Sequence, residues 1–307
     1  MVFSIKPMLL VLILAAPWTS CHQPSVPAAN KLDTTGAPVL TINGFRFRDL
    51  DRNGKLDPYE DSRQPVEARI SDLLGRMTLE EKAGMMFING VRVSPDGSLQ
   101  DSPPGPGVRS LGQPVRELLL AKHMTHFNLW AIPDPAILAL WYNRLQKLAE
   151  GTRLGIPVTI ASDPRSAFTN NAGMSIAARG FSQWCEPIGF ASIGDSTFIR
   201  QFADMVRREY LAVGIRVALH PQADLATEPR WPRIAGTFGE DAGLASRMVR
   251  AYILGFQGER LTDSSIACVV KHFPGGGPQK EGLDPHFDFT LGQVYPGHNF
   301  RYHLIPF

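Results

Sequence analysis

Apolar residues recur at helical spacing from about residue 65 onward. The first stretch with this spacing carries Val66, Ile70, Leu73, Leu74 and Met77. Thr78 follows, and Glu81 stands three residues after it, which is the pattern of a capping box. The pattern therefore predicts one amphipathic helix and the start of a second.

Short apolar runs then alternate with amphipathic stretches along the chain. The runs are Gly84–Ile88, Phe127–Ile132, Pro157–Ala161, Ile215–Leu219 and Ile266–Val270. Asp134 followed by Pro135 predicts a helix start, and two more helices are predicted through Phe198–Tyr210 and after Asp241. Short buried strands that alternate with helices favour an α/β fold with a parallel sheet.

Polar residues stand just beyond the ends of several predicted strands. Asp163, Asp224 and the pair Lys271 and His272 each follow such a run. An open doubly wound sheet would give the same alternation, but in a barrel these positions converge on the face where active sites are built. We therefore predict a (β/α)8 TIM-type barrel. Only five strands are predicted, so the barrel is expected to be incomplete at the C-terminus.

The N-terminal region has a different composition. Lys6 precedes a nine-residue apolar run, Met8–Ala16, which is shorter than the roughly 20 residues that a spanning helix needs. This predicts a signal peptide over residues 1–21, with a lipid anchor at Cys21 or simple cleavage as the alternatives. Residues 22–40 are predicted to be a linker. The protein is expected to be periplasmic or associated with the outer membrane.

The overall composition narrows the choice of partners. The 307 residues are 44% hydrophobic and carry a formal net charge of +2, so nucleic acid is not an expected partner. A membrane is expected to be a partner only through the anchor at Cys21. Cys185 and Cys268 could pair in an oxidising compartment, but two free thiols are the favoured reading.

Residues 41–64 contain a twelve-position pattern typical of an EF-hand calcium loop. The predicted ligands are Asp49, Asp51, Asn53, Lys55 (through its carbonyl), Asp57 and Glu60. Gly54 stands where the loop must turn sharply. The alternative is a polar turn without an ion. If the loop binds Ca²⁺, we expect the ion to be structural, and no cofactor is expected for catalysis.

Another group of residues is suited to binding a sugar. A polyol needs a carboxylate to accept hydroxyl protons, cationic donors, and an aromatic wall for its apolar face. Asp163 could supply the first, Arg233, Lys271 and His272 the second, and Trp231 the third. No Gly-x-Ser-x-Gly elbow occurs, which argues against a serine hydrolase.

These segments resemble glycoside hydrolase family 3 from about Arg69 to Phe307. The similar motifs are MTLEEKAGMM, GIPVTIASDPR, EPRWPRIAGTFGED, VVKHFPGGG and QVYPGHNFRYHLIPF. The resemblance implies a barrel, over residues 65–307 here, followed by an α/β sandwich domain. It also implies that Asp163, Arg233, Lys271 and His272 bind the non-reducing sugar of a β-linked oligosaccharide or glycoside.

The family's retaining mechanism uses an Asp nucleophile and a second carboxylic acid. The nucleophile belongs to an Asp-Trp motif well after the Lys-His pair, and no such motif occurs in these 307 residues. We therefore expect the nucleophile to lie beyond residue 307, and this chain alone to be inactive.

The resemblance leaves the substrate open. Asp284 and His286 match the acid/base dyad of the β-N-acetylglucosaminidase branch, although that branch has His where this chain has Gly276. An exo-acting β-glucosidase is the favoured reading. β-N-acetylglucosaminidase, β-xylosidase and a non-catalytic sugar-binding remnant are the alternatives.

Overall fold

The structure is a computed structural model that describes residues 36–99, 114–131, 134–167 and 178–307. The predicted signal peptide with Cys21 and the linker up to residue 35 lie outside the described residues. Within the described part, none of the helices has the length and apolar character needed to cross a membrane.

Two small elements precede the main sheet. Strands β1 (Val39–Ile42) and β2 (Phe45–Arg48) form an antiparallel hairpin. The predicted domain start at residue 41 falls inside β1. Helices α1 (Val66–Arg76) and α2 (Leu79–Met85) follow, and Thr78 and Glu81 form the predicted capping box.

The rest of the described chain alternates strands and helices. In order, these are β3 (Ile88–Arg92), α3 (Val115–Leu120), β4 (His126–Ala131), α4 (Pro135–Glu150), β5 (Thr159–Ser162), α5 (Pro187–Ile193), α6 (Ser196–Ala212), β6 (Ile215–Ala218), α7 (Ala242–Gln257), β7 (Ala267–Cys268) and α8 (Phe300–His303). Strands β3 to β7 form one sheet in sequence order, with every pair parallel. The predicted α/β class with a parallel sheet is confirmed.

One predicted strand was misplaced. The run Gly84–Ile88 was predicted as a strand, but Gly84 and Met85 belong to α2, and β3 begins only at Ile88. The capping box at Thr78 starts a helix that continues through Met85. A short apolar run cannot by itself distinguish the end of a helix from a strand.

The core lies between the sheet and the helices α4, α6 and α7. Its largest fully buried apolar side chains include Trp141, Tyr210, Phe127, Phe238 and Phe256. At Gly255 of α7 an added Cβ would lie 2.4 Å from the Cβ of Ala203 on α6. The absence of a side chain at Gly255 therefore allows these two helices to pack closely. Cys185 and Cys268 are free thiols.

Aspartates define the starts of three long helices. Asp134 accepts a hydrogen bond from the backbone N–H of Ala136, Asp195 caps α6, and Asp241 caps α7. Each carboxylate satisfies a backbone donor that has no partner inside the helix. The predicted helix start at Asp134 and Pro135 is confirmed.

Both outer strands of the sheet have an unpaired side within the described residues. Beside β3, the apolar residues Met86 and Phe87 are 84% and 62% exposed. None of the residues of α1 is buried. Over the described ranges the structure therefore shows a five-stranded parallel sheet and not a complete barrel.

Candidate active site

The segments that leave β5, β6 and β7 meet at the carboxyl edge of the sheet. Asp163 directly follows the last residue of β5. Gln222, after β6, pairs in parallel with Lys271, after β7. The backbone N–H of Ala223 also donates to the carbonyl of Lys271 at 2.7 Å. The parallel sheet thus brings together side chains that are far apart in sequence.

Asp163 and Lys271 form an ion pair. Lys271 Nζ lies 2.6 Å from Asp163 Oδ1, and Asn128 Nδ2 on β4 donates to Asp163 Oδ2 at 3.3 Å. Burial raises the pKa of Asp163, but the charge and hydrogen bond of Lys271 outweigh this effect and leave the pKa below its usual value. Asp163 is therefore an anionic acceptor. Sequence reasoning missed Asn128, whose buried Oδ1 has no hydrogen-bond partner among the described residues.

Arg233 is a buried cation near several carboxylates. Only 4% of the residue is exposed, and its Nε has no hydrogen-bond partner among the described residues. Burial lowers the pKa of Arg233, while the charges of Asp284, Asp224 and Asp163 act in the opposite direction. A buried donor without a partner is costly, so this guanidinium is suited to a ligand that offers oxygen acceptors.

Trp231 does not supply the predicted aromatic wall. The residue is 2% exposed, and its indole N–H donates to Asp284 Oδ2 at 2.8 Å. The guanidinium carbon of Arg233 lies 5.7 Å from the centre of the Trp231 ring. The prediction was wrong because the ring is enclosed by protein and has no free face for a sugar. Its burial depends on tertiary packing, which the sequence motif does not reveal.

Asp284 and His286 form the pair that the sequence suggested as an alternative. His286 Nδ1 lies 2.5 Å from Asp284 Oδ1, and the backbone N–H of His286 donates to the same oxygen at 3.0 Å. The Asp284 side chain is 4% exposed and the His286 side chain is 63% exposed. The carboxylate is thus fixed inside the protein while the imidazole faces outward.

His272 is held by a carboxylate for which sequence reasoning gave no role. Asp224 is fully buried, and its Oδ2 lies 2.8 Å from His272 Nδ1. Gln222 Nε2 donates to the same oxygen at 3.2 Å, while Oδ1 accepts from the backbone N–H groups of His272 and Gly276. Burial raises the pKa of Asp224, but these hydrogen bonds outweigh it and leave the pKa below its usual value. Its position at a strand end was the only sequence signal.

A buried network lies behind Asp163. His220 is bonded through Nδ1 to the hydroxyl of Tyr252 at 2.6 Å, and through Nε2 to the hydroxyl of Tyr210 at 3.2 Å. The Tyr210 hydroxyl also lies 3.2 Å from the backbone carbonyl of Asp163. Burial lowers the pKa of His220 to about 3, so its ring is neutral. Sequence reasoning missed this network because these three residues have no shared spacing.

In the predicted calcium loop, three of the four predicted carboxylate ligands lie close together. The carboxylates of Asp49, Asp51 and Glu60 offer oxygens that all lie within 4.8 Å of one another. Asp49 is 3% exposed and Glu60 is 8% exposed. Close carboxylates of this kind, two of them buried, suit a hard cation with oxygen ligands. Desolvation raises the pKa of Glu60, although backbone hydrogen bonds from Asp57 and Leu50 act against it.

The other predicted ligands have different contacts. Asn53 points its amide nitrogen at Asp51 and Asp57, at 2.9 and 2.5 Å. Its Oδ1 accepts the backbone N–H of Lys55 at 2.8 Å. Arg76 forms ion pairs with both Asp51 and Asp57, at 3.1 and 2.6 Å. Part of the negative charge in the loop is therefore balanced by the protein itself.

Comparisons with known proteins identify the class and then the family. Residues 110–307 match the model of the glycosyl hydrolase family 3 N-terminal domain. The periplasmic β-glucosidase/β-xylosidase of Dickeya chrysanthemi is 45% identical over 298 residues, which are 96% of this chain and 44% of that protein. β-Glucosidase C of Emericella nidulans is 48% identical over 261 residues, which are 84% of this chain and 41% of that protein.

Solved structures agree on the fold. A family 3 β-N-acetylglucosaminidase from Paenibacillus sp. str. FPU-7 superposes with a TM-score of 0.56 at 23% identity, covering 75% of this chain and 39% of that chain. The fold and the site define the class as an α/β protein whose candidate site lies at the carboxyl edge of a parallel sheet. The chain belongs to glycosyl hydrolase family 3, and it spans under half the length of the curated relatives described above.

Proposed function

We propose that the full-length protein is an exo-acting, retaining β-glucosidase, and that this chain supplies the pocket for the terminal non-reducing glucosyl residue. The observation that carries the proposal is the cluster at the carboxyl edge of the sheet. It contains an anionic acceptor, Asp163, paired with Lys271 at 2.6 Å, and a buried guanidinium, Arg233, whose Nε lacks a partner among the described residues. Several relatives at 45–48% identity are named β-glucosidases.

The proposed chemistry needs two carboxyl groups roughly 5–5.5 Å apart. An Asp attacks the anomeric carbon, and a second acid protonates the leaving oxygen. We assign neither role to Asp163, because it is already paired with Lys271 and hydrogen-bonded by Asn128. The proposed nucleophile lies in sequence that the relatives have in addition to the matched part. The role of this chain is therefore to bind and orient the sugar.

We also propose that the complete domain is a closed eight-stranded barrel. The exposed apolar residues Met86 and Phe87 beside β3 and the unpaired side of β7 support closure by further parallel strands. Limited proteolysis and hydrogen exchange of the full-length protein should show protection at β3. Rapid exchange of the β3 amides in that protein would contradict closure.

The experiment for the function has two parts. Calorimetric titration of the chain with glucose should show binding, and Asp163→Asn should weaken it because Lys271 then lacks its charge partner. Full-length gene product should hydrolyse nitrophenyl-β-glucoside faster than the N-acetylglucosaminide. No glucose binding by the chain together with no glucosidase activity of the full-length protein would reject the proposal.

A β-N-acetylglucosaminidase is the second candidate, because Asp284 and His286 are in contact at 2.5 Å. In that reading His286 protonates the leaving oxygen while Asp284 orients the ring. That branch has His where this chain has Gly276. This argues against the candidate, because the structure leaves little room for a side chain at residue 276, where an added Cβ would lie 3.0 Å from Asp224 Oδ1. His286→Ala would abolish turnover if the dyad is the acid/base. It would leave glucosidase turnover largely intact if the dyad is not used. A β-xylosidase remains an alternative for the same pocket.

The loop from Asp49 to Glu60 is proposed to bind a structural Ca²⁺ ion. The support is the convergence of Asp49, Asp51 and Glu60, together with the sequence pattern. The alternative is a polar turn balanced by Arg76. Calcium titration followed by calorimetry would separate the two readings, since only the first predicts saturable binding that Asp49→Asn removes.

Export to the periplasm is proposed from the N-terminal sequence, and the Dickeya relative is named as periplasmic. A lipid anchor at Cys21 is the finer part of this proposal. Labelling of the full-length protein with a fatty acid in cells, compared with Cys21→Ser, tests it. Equal labelling of both proteins would exclude this cysteine as the attachment point.

A further inference from the structure

We infer that Asp224 is a positioning residue that fixes the proton of His272 on Nδ1, so that Nε2 presents a hydrogen-bond acceptor to the sugar. The inference rests on the proposed function in one respect, namely that a sugar occupies the site. It changes the role that the sequence suggested for His272. A cationic donor was expected there, whereas a neutral ring held at Nδ1 by Asp224 is an acceptor at Nε2.

The contacts of Asp224 decide which nitrogen of the His272 ring carries the proton. All four partners of the Asp224 carboxylate are donors or must act as donors. They are the side-chain amide of Gln222, the backbone N–H groups of His272 and Gly276, and His272 Nδ1. The hydrogen bonds keep the pKa of Asp224 low, so the carboxylate has no proton to offer. The contact of 2.8 Å with Nδ1 therefore requires a hydrogen on that nitrogen.

The opposite edge of the His272 ring carries Nε2. With Nδ1 protonated, a neutral imidazole has a lone pair on Nε2. The side chain of His272 is 36% exposed, while that of Asp224 is completely buried. No described residue is bonded to Nε2. In the neutral ring the exposed edge thus offers an acceptor to a hydroxyl, next to Lys271, which offers an ammonium donor.

Asp224 fixes the positions of both the His272 ring and the glycine turn that follows it. Asp224 holds His272 at two points, the backbone N–H at 3.1 Å and the ring at 2.8 Å. It also holds Gly276, where an added Cβ would lie 3.0 Å from Asp224 Oδ1. At Gly277 an added Cβ would lie only 1.8 Å from the carbonyl oxygen of Leu225. The glycine turn therefore lets the backbone approach Asp224 closely, so that one carboxylate sets both the turn and the ring.

Asp224 holds the backbone of the glycine turn and also fixes the proton of the His272 ring. The variant Asp224→Asn separates these two effects. The Asn oxygen can still accept the backbone N–H groups, but its NH₂ would face His272 Nδ1. That nitrogen would then have to accept, and the ring proton would move to Nε2. A sugar hydroxyl would lose its acceptor, and we expect glucose affinity to fall roughly tenfold, the effect of one lost hydrogen bond. Asp195→Asn is a matched control, because Asn also caps a helix well.

The direct readout is ring ¹⁵N NMR of the full chain labelled at histidine, in mildly alkaline solution, with His272→Gln to assign the signal. We expect the Nδ1–H tautomer in the wild type and the Nε2–H tautomer in Asp224→Asn. A wild-type ring with its proton on Nε2 would overturn the inference, and so would an unchanged tautomer in a folded Asp224→Asn variant. Failure of that variant to fold leaves the wild-type spectrum decisive.

A double-mutant cycle distinguishes positioning from simple bracing of the turn. In a His272→Ala background, Asp224→Asn should cause little further loss of glucose affinity, because the group that it orients is gone. Equal losses in both backgrounds would overturn the inference. Absence of glucose binding by the chain, together with absence of glucosidase activity of the full-length protein, rejects the proposed function, whereas the tautomer measurement still decides the role of Asp224.

Discussion

The loop at residues 49–60 and the site at the carboxyl edge of the sheet are both clusters of carboxylates and cations, but they are assembled differently. In the loop, Asp49 accepts the backbone N–H groups of Asn53 and Gly54, only four and five residues away. At the sheet edge, Asp163 and Lys271 are 108 residues apart, and Asp224 and His272 are 48 apart. The first cluster follows from a turn, whereas the second exists only when β5, β6 and β7 lie side by side.

This difference has consequences for stability. A charge in the loop has several neighbours that can replace a lost partner. Arg76, for example, is bonded to Asp51, Asp57 and Asp72. Charges at the sheet edge have few partners, and those partners are fixed by strands. Removing one group there should therefore cost more than removing one group in the loop.

The largest expected effect is that of Asp163→Ala. It leaves the ammonium of Lys271, a side chain that is 18% exposed, without its partner. An unpaired charge that is mostly enclosed by protein should cost about 3 kcal/mol in the free energy of unfolding, the low end of the range for a buried pair, and chemical denaturation would measure it. Asp51→Ala is the counterpart in the loop and should cost about 1 kcal/mol or less, because Arg76 keeps two other carboxylates. Equal losses for the two variants would remove the distinction between the regions.

A pH effect of similar size is expected behind the sheet-edge site. The pKa of His220 is lowered from 6.5 to about 3; burial is the largest cause, the charges of Lys271 and Arg165 act in the same direction, and Asp163 opposes them. Below pH 6.5 the unfolded chain therefore binds a proton that the folded protein does not, so stability falls as the pH decreases. Above pH 6.5 this contribution is constant. The loss amounts to roughly 3 kcal/mol between pH 6.5 and about pH 4, at about 1.4 kcal/mol per unit.

The measurement is the free energy of unfolding as a function of pH. His220→Gln should remove most of this acid dependence, while His286→Gln should retain it because that side chain is 63% exposed. A His220→Gln variant with the same acid slope as the wild type would show that the slope comes from carboxylates.

Local signals in the sequence predicted local structure well. The capping box at Thr78 and the aspartate caps at Asp134 and Asp241 depend on a few consecutive residues, and all three are present. The hairpin of β1 and β2 was missed because its residues were assigned to the linker, residues 22–40, or to the segment 41–64 that contains the calcium loop. The run Gly84–Ile88 was misplaced because a helix end and a strand start share the same apolar residues.

The sheet-edge site was predictable only in part. Asp163 and Lys271 stand at strand ends, and parallel strands bring such positions together. Burial was not predictable, so Trp231 was read as a sugar-binding wall although it is 2% exposed. The hydrogen bonds among His220, Tyr210 and Tyr252 join α6, α7 and the segment after β6, and no pattern along one element reveals them.

Calcium should stabilise the loop without affecting the sheet-edge site. If the loop binds the ion as proposed, an excess of a hundredfold over Kd raises the free energy of unfolding by about 2.7 kcal/mol. A thermal melt in calcium compared with one in chelator measures it, and Glu60→Gln, which alters a carboxylate of the convergent group, should reduce the difference. Identical melting temperatures in calcium and chelator would favour the polar turn. A change in glucose affinity on chelation would mean that the two regions are coupled.

The smallest expected effect tests a purely local feature. The hydroxyl of Thr78 accepts the backbone N–H of Glu81 at 3.2 Å, and the carboxylate of Glu81 accepts the backbone N–H of Thr78 at 3.0 Å. Thr78→Ala removes one of these bonds and should lower the free energy of unfolding by about 1 kcal/mol. Thr78→Ser keeps the hydroxyl and should lie within about half of that value of the wild type. Glu81 also pairs with Arg153, so the second half of the box should survive in both variants. Chemical denaturation with an unchanged m-value measures the difference. If Thr78→Ala and Thr78→Ser were equally stable, α2 would be stabilised by its packing and not by its cap. The capping-box pattern would then predict where the helix begins without contributing to its stability.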